Sequence, residues 1–270
     1  MNAIRSYLNS FKLKKELFST FLVDAFIILL IVGAFWSFGS LLTAKAYAIS
    51  GGQSVEELKM GLLSGSLEYN QSLLRNIQIF TYTLIGGGIL LLIMALFGFS
   101  WSRAIVWYEI TKQKLTRNNY WRWNALSLIL LFIFIILAGF YVVFRIVFNL
   151  LLFFINNQTA FNIINKALLA IFLMAFLFWV FLVGHSFAQK YRVWESLGNA
   201  FHLIKLHWSN LWKAYLFSLG TLLIITVILY LLNWLLRFYP TVYNIINIAV
   251  LLLFLSWMRL YVSALTLRDQ

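Results

Sequence analysis

Six long apolar runs, parted by short polar gaps, constrain this chain more than any other feature of its 270 residues. They extend from Leu17 to about Leu42, Ile77 to Trp101, Ala125 to Ile155, Ala167 to Phe187, Ala214 to Leu236 and Val242 to Leu265. A helix needs about 20 apolar residues to cross a hydrocarbon core of roughly 30 Å, and every run supplies them. The chain is 63% hydrophobic and 11% charged, where soluble domains carry about 45–50% and about 25%. A soluble fold has too little interior for so much apolar surface, so lipid must solvate part of it. The expected class is all-α: a polytopic membrane protein of six transmembrane helices in one membrane domain, with amphipathic interfacial helices on the cytoplasmic side. The single proline, Pro240, leaves the interior of each span free of a proline kink. The third run outlasts one perpendicular crossing. A span over 125–145 that ends near Arg145, with Ile146 to Ile155 lying on the outer surface, accommodates the excess.

Basic residues set the orientation, because cytoplasmic loops are enriched in Lys and Arg. Arg5, Lys12, Lys14 and Lys15 precede the first run. Arg103, Lys112, Lys114, Arg117 and Arg122 follow the second, Lys190, Arg192, Lys205 and Lys213 follow the fourth, and Arg259 and Arg268 close the sixth. These are fifteen of the 21 Lys and Arg residues. Lys45, Lys59, Arg75, Arg145, Lys166 and Arg237 fall on the other side. Both termini are therefore expected in the cytoplasm, with the chain in the cell membrane. Ala46-Tyr47-Ala48 has the look of a signal-peptidase site, but the preceding apolar run is far longer than the 7–15 residues of a signal peptide. Asn70-Gln71-Ser72 and Asn157-Gln158-Thr159 match the glycosylation tripeptide on the expected outer side. In the first outer gap, Ser54 and Glu57 read as a capping box that opens a short helix ending near Gly61 or Gly65.

The gap after the fourth run is the most strongly patterned. Trp194, Leu197, Phe201, Ile204, Trp208 and Leu211 recur at three- and four-residue steps, forming one helix face. Arg192, Glu195, Ser196, Asn199, His202, Lys205 and Ser209 fill the other. Tryptophans opposite mixed charge describe a helix in the headgroup region; the same stripe would also serve a helix packed on the spans. The N-terminal arm repeats the design with Ile4, Leu8 and Phe11, Tyr7 beside them, and Tyr120, Trp121 and Trp123 precede the third run after its basic residues. These segments suggest three repeats of a surface segment and a helical hairpin. The formal net charge of +13 sits at span ends beside aromatics, which fits anionic lipid headgroups on the cytoplasmic side. Nucleic acid is not an expected partner, for want of a basic soluble module.

Ionisable groups within a bilayer are costly and invite a functional reading. Asp24 lies about two turns into the first run and Arg259 at a similar distance from the cytoplasmic end of the sixth. They would pair at matched depth if those helices touched; the expectation is instead that Arg259 snorkels to the headgroups and Asp24 faces cytoplasmic water. His185, beside Gly184, reads as an interfacial residue rather than a proton relay. Arg145 marks the outer end of the third span. Asn233, Asn244 and Asn247 lie in the outer halves of the last two spans, where asparagines can hydrogen-bond between helices. Gly86-Gly87-Gly88 permits close helix approach, or less readily an unwound turn. No catalytic residue, metal site or cofactor is expected: the chain has no cysteine, no H-E-x-x-H, no Gly-rich phosphate loop and no G-x-S-x-G. Ser186 follows His185 directly, and adjacent helix positions do not face each other.

The segment Trp194-Glu195-Ser196-Leu197 through Ala200-Phe201, followed by Trp212 and the fifth run, resembles the cytoplasmic linkers of a family of poorly characterised six-span prokaryotic membrane proteins. It is similar in layout to the membrane domain attached to glycerophosphodiester phosphodiesterases. The resemblance covers roughly the second half of the chain and implies a fold. It implies no phosphodiesterase activity, because this chain has no attached soluble phosphodiesterase domain. The expected function is non-enzymatic: organising, binding or moving lipid or a small amphiphile. The alternative is a secondary transporter or channel, which requires a polar path through the spans.

Overall fold

The computed structural model describes residues 7, 10, 14–53, 55–65, 67–112, 116–151 and 158–266. Among them all regular secondary structure is helical: α1 Lys14–Ser50, α2 Val55–Ser64, α3 Leu67–Thr111, α4 Arg117–Leu151, α5 Gln158–Lys190, α6 Val193–Leu206, α7 Trp208–Leu235 and α8 Pro240–Thr266. In hydrocarbon a backbone must satisfy its own hydrogen bonds, which the helix does within one segment. Six of these helices, all but α2 and α6, are long and apolar enough to cross a membrane. The chain is a polytopic all-α membrane protein.

Several helices outrun the apolar stretches that define them. α3 has 45 residues and rises roughly 68 Å at 1.5 Å per residue, about twice the hydrocarbon core. Leu67–Asn76 before its apolar run and Ser102–Thr111 after it continue the helix. α4 runs unbroken through Arg145 to Leu151, so the turn onto the surface expected after Arg145 does not form there. No Gly or Pro interrupts this stretch, and the Phe144 and Phe148 rings stack one turn apart at 5.7 Å. The rest of that expected surface piece, 152–155, lies outside the described residues. α2 forms within the first gap, where a short helix was expected, although Ser54 of its capping box is also outside them. α2 stops before Gly65, where a Cβ atom would lie 2.4 Å from the Gly61 carbonyl oxygen.

The chain forms two compact units, Met1–Ala25 with Ser100–Gln270, and Phe26–Phe99. The larger unit holds the main core. α5 contacts α4, α6, α7 and α8, and α8 also packs on α7. Leu126, Leu182, Val183, Phe187, Ala200, Ala214, Met258, Tyr261 and Val262 are buried together there. Gly184 lets α5 meet the Trp107 indole, since a Cβ would fall 2.7 Å from Trp107 Nε1. Tyr7 and Ser10 of the N-terminal arm enter this core. The Tyr7 hydroxyl bonds Thr221 Oγ1 at 3.0 Å and its ring packs edge-on against Trp257 and Tyr261. Trp257 Nε1 donates to Ser10 Oγ at 2.9 Å. Ile4, Leu8 and Phe11, the expected surface face of that arm, lie outside the described residues.

The smaller unit buries little of itself and presents Leu30, Phe35, Trp36, Ile85, Leu90 and Leu92 outward. Exposed apolar side chains on long helices are what hydrocarbon solvates. α3 stays helical through Gly86-Gly87-Gly88. A Cβ on Gly87 would lie 2.3 Å from the Phe38 ring, while Gly86 and Gly88 face open space. One glycine of the three thus permits close helix packing, and the run is not an unwound turn.

Candidate functional site

Three helices of the larger unit converge on Asp24. From α1, its carboxylate accepts a hydrogen bond from Arg259 Nη2 of α8 at 2.9 Å and one from Ser102 Oγ of α3 at 2.9 Å. Arg103 Nη2, also on α3, stands 3.7 Å from the same carboxylate. Arg259 is 0% exposed and Asp24 3%; the guanidinium lies over the Phe181 ring of α5, 5.4 Å from its centroid. Snorkelling by Arg259 and hydration of Asp24, the sequence expectation, are therefore replaced by a buried ion pair. The reason is tertiary: once α1 and α8 touch, each charge supplies the counter-charge that burial demands. The cluster holds two guanidinium groups against one carboxylate. Arg259 Nε and Nη1, and the hydroxyls of Ser100 and Ser256, are buried without a hydrogen-bond partner.

His185 is buried rather than interfacial. Its ring lies edge-on to Trp107, with Gln189 Nε2 at 3.1 Å from Nε2 and Ser263 Oγ at 3.4 Å from Nδ1. The ring is thus held at both nitrogens, by Gln189 on the same helix and by Ser263 of α8. Arg145 is exposed on α4, Asn233 and Asn244 are exposed, and Asn247 is half-buried. None of these four joins the buried cluster. Asn70 lies in the first turn of α3, and Asn157 is outside the described residues.

The stripe from Trp194 to Leu211 belongs to two helices, not one. His207 ends α6, its N–H bonded to the Leu203 carbonyl, and begins α7, its carbonyl accepting from Asn210 and Leu211. Ser196, Leu197 and Ala200 of α6 and Leu211 of α7 are buried, and Ile204 is half-buried. Trp194, Phe201 and Trp208 remain exposed, Trp194 by 76%. At 100° per residue, Trp194 and Phe201 flank the packed face, and Glu195, His202 and Lys205 lie beyond them. Phe201 also meets Trp179 of α5 at 5.7 Å. On α7 the aromatic edge continues as a stack of Trp208, Trp212 and Tyr215.

The elbow between α5 and α6 is held from α4. Tyr191 has φ +52°, a left-handed conformation costly for a bulky side chain, and its N–H caps α5 through the Phe187 carbonyl. Arg122 Nη1 donates to the Tyr191 carbonyl at 3.0 Å. Burial raises the Tyr191 hydroxyl pKa above its ordinary value, offset in part by a hydrogen bond with Asn119. Arg192 follows, its Nη1 2.6 Å from Glu195 Oε1. Beside this elbow a groove of about 380 Å³ is lined by Arg122, Ala125, Ile129, Tyr191, Arg192, Val193 and Trp194.

Ser102, Arg103, Gln189, Ser263 and Arg122 were not singled out as site residues by sequence reasoning. Hydropathy did not mark Arg103: it lies about two turns inside a helix that continues to Thr111, whereas the apolar run ends at Trp101. No protein-family model, curated protein or solved structure matches this chain.

Proposed function

We propose that this multi-pass membrane protein is non-enzymatic and binds and organises membrane lipid. In this reading its termini and most of its Lys and Arg residues lie in the cytoplasm, and α6 lies in the inner headgroup region. The observation that carries it is the aromatic edge of α6 and α7: Trp194, Phe201, Trp208 and Trp212 are exposed although the same helices bury Leu197, Ala200 and Leu211. Indole rings favour the headgroup level of a bilayer, where an apolar body and a polar N–H are both accommodated. Arg122, Arg192, Lys205 and Lys213 supply the positive charge that anionic headgroups attract, about 1 kcal/mol per basic residue near the surface. The non-enzymatic part rests on the chemistry of the buried groups. Asp24 is committed to Arg259 and Ser102, and His185 is held between Gln189 and Ser263.

The test reconstitutes the protein in vesicles whose acyl chains are brominated near the headgroup. The difference in emission between the native protein and a Trp194→Phe, Trp208→Phe variant isolates those two indoles. That difference should be strongly quenched by the brominated lipid; an unquenched difference overturns the lipid reading.

The buried Asp24–Arg103–Arg259 cluster favours a second reading, transport of a small anion, since ionisable groups within spans often mark a solute path. Vesicles without bromine, loaded with an anion-sensitive dye, separate the two. A flux through the native protein that Asp24→Asn abolishes would favour transport; equal leak through both would favour lipid organisation.

A further inference from the structure

We infer that the groove at the α5–α6 elbow is a binding site for an anionic phospholipid. The phosphate would sit between the Arg122 and Arg192 guanidinium groups, one acyl chain along Ala125, Ile129 and Val193, and the Trp194 ring at the glycerol level. The inference rests on the lipid reading above and deepens it by naming a site and a headgroup class.

Four observations converge. The first is shape: the groove is an open depression of about 380 Å³, and its lining includes Ala125, a small exposed residue that leaves room where a Leu or Phe would fill it. The second is charge: two arginines line the groove and no carboxylate does, with Glu195 the nearest acidic partner, on Arg192. Each guanidinium has five N–H donors. Arg122 places Nη1 on the Tyr191 carbonyl and Arg192 places Nη1 on Glu195, so both retain donors for phosphate oxygens. The third is preorganisation: the Tyr191 carbonyl anchors Arg122, which lowers the entropy lost on closing on a ligand. The fourth is the order of the α4 side chains that line it: Arg122, Ala125 and Ile129 follow at three- and four-residue steps on one helix face, from charged to apolar. That order matches a phospholipid read from phosphate to chain and has no use for a free anion.

Native mass spectrometry of the detergent-solubilised protein tests the site. It is titrated with phosphatidylglycerol, phosphatidylcholine and inorganic phosphate in separate arms. Phosphatidylglycerol should be retained in preference to phosphatidylcholine, and inorganic phosphate should not displace it. Arg192→Gln should weaken phosphatidylglycerol retention about tenfold, the scale of one charge-assisted hydrogen bond, and erase the headgroup preference. Glu195→Gln, which frees Arg192, should strengthen retention. Ala125→Leu should weaken retention of both lipids by filling the groove. Opposite shifts at two neighbouring positions distinguish a site from general damage to the fold. Equal retention of the two lipids, or no change in either Arg192→Gln or Glu195→Gln, overturns the site, and displacement by inorganic phosphate reassigns it to the free anion. If bromolipid quenching of Trp194 and Trp208 persists in that case, the site alone has failed; loss of quenching removes the lipid reading with it.

Discussion

The Asp24–Arg259 pair joins residues 235 positions apart in sequence and is closed off from solvent at both ends. Removing one member of a buried pair leaves an uncompensated charge and costs about 3–5 kcal/mol, whereas replacing both with apolar groups is often neutral. Asp24→Leu and Arg259→Met should therefore each lower the unfolding midpoint markedly in one detergent, while the two together regain much of the loss. Additive losses would mean that the two side chains are not energetically coupled. Sequence showed both residues at comparable depth, a necessary condition for pairing. It did not show that α1 and α8 touch, because contact between helices is decided by packing along their whole lengths. Arg103 was obscured for a related reason: hydropathy registers where apolar residues stop, and a helix continues wherever its backbone bonds are satisfied.

Single positions also decide how helices approach one another. On α5, Gly184 admits the Trp107 indole, and a methyl group there has no free volume. Gly184→Ala should destabilise the protein by about 1–3 kcal/mol, the usual cost of overpacking, despite the higher helix propensity of Ala. A gain in unfolding midpoint would show that the indole swings aside. The periodicity of Trp194 to Leu211 was legible because three- and four-residue spacing survives a short interruption. The interruption at His207 was not, since no Gly or Pro marks it. Nor does a hydrophobic stripe reveal which apolar medium it meets. α6 divides its stripe, with Leu197 and Ala200 against protein and Trp194 outward. α3 and α5 both end on a left-handed residue that is not glycine, Lys112 at φ +56° and Tyr191 at φ +52°. Such ends escape a search for C-terminal glycine.

Across the whole chain, six apolar runs correspond to six helices able to cross a membrane. This level of the fold was fully legible, because hydrocarbon admits so few backbone solutions. Orientation rests on the uneven distribution of Lys and Arg, and it yields a direct outcome: a reporter fused after Gln270 should be active only in the cytoplasm, and one inserted at Gly52 only outside. The reverse pattern would invert the assignment and move the elbow groove to the opposite leaflet. The pairing of Asp24 with Arg259 also has a meaning for biogenesis. Of the six long helices, α1 emerges from the ribosome first and α8 last, so the carboxylate enters the membrane well before its main counter-charge has been made. Ser102 and Arg103, on α3, are made in between. The full neutralisation of Asp24 therefore waits on the last of the six helices to be synthesised.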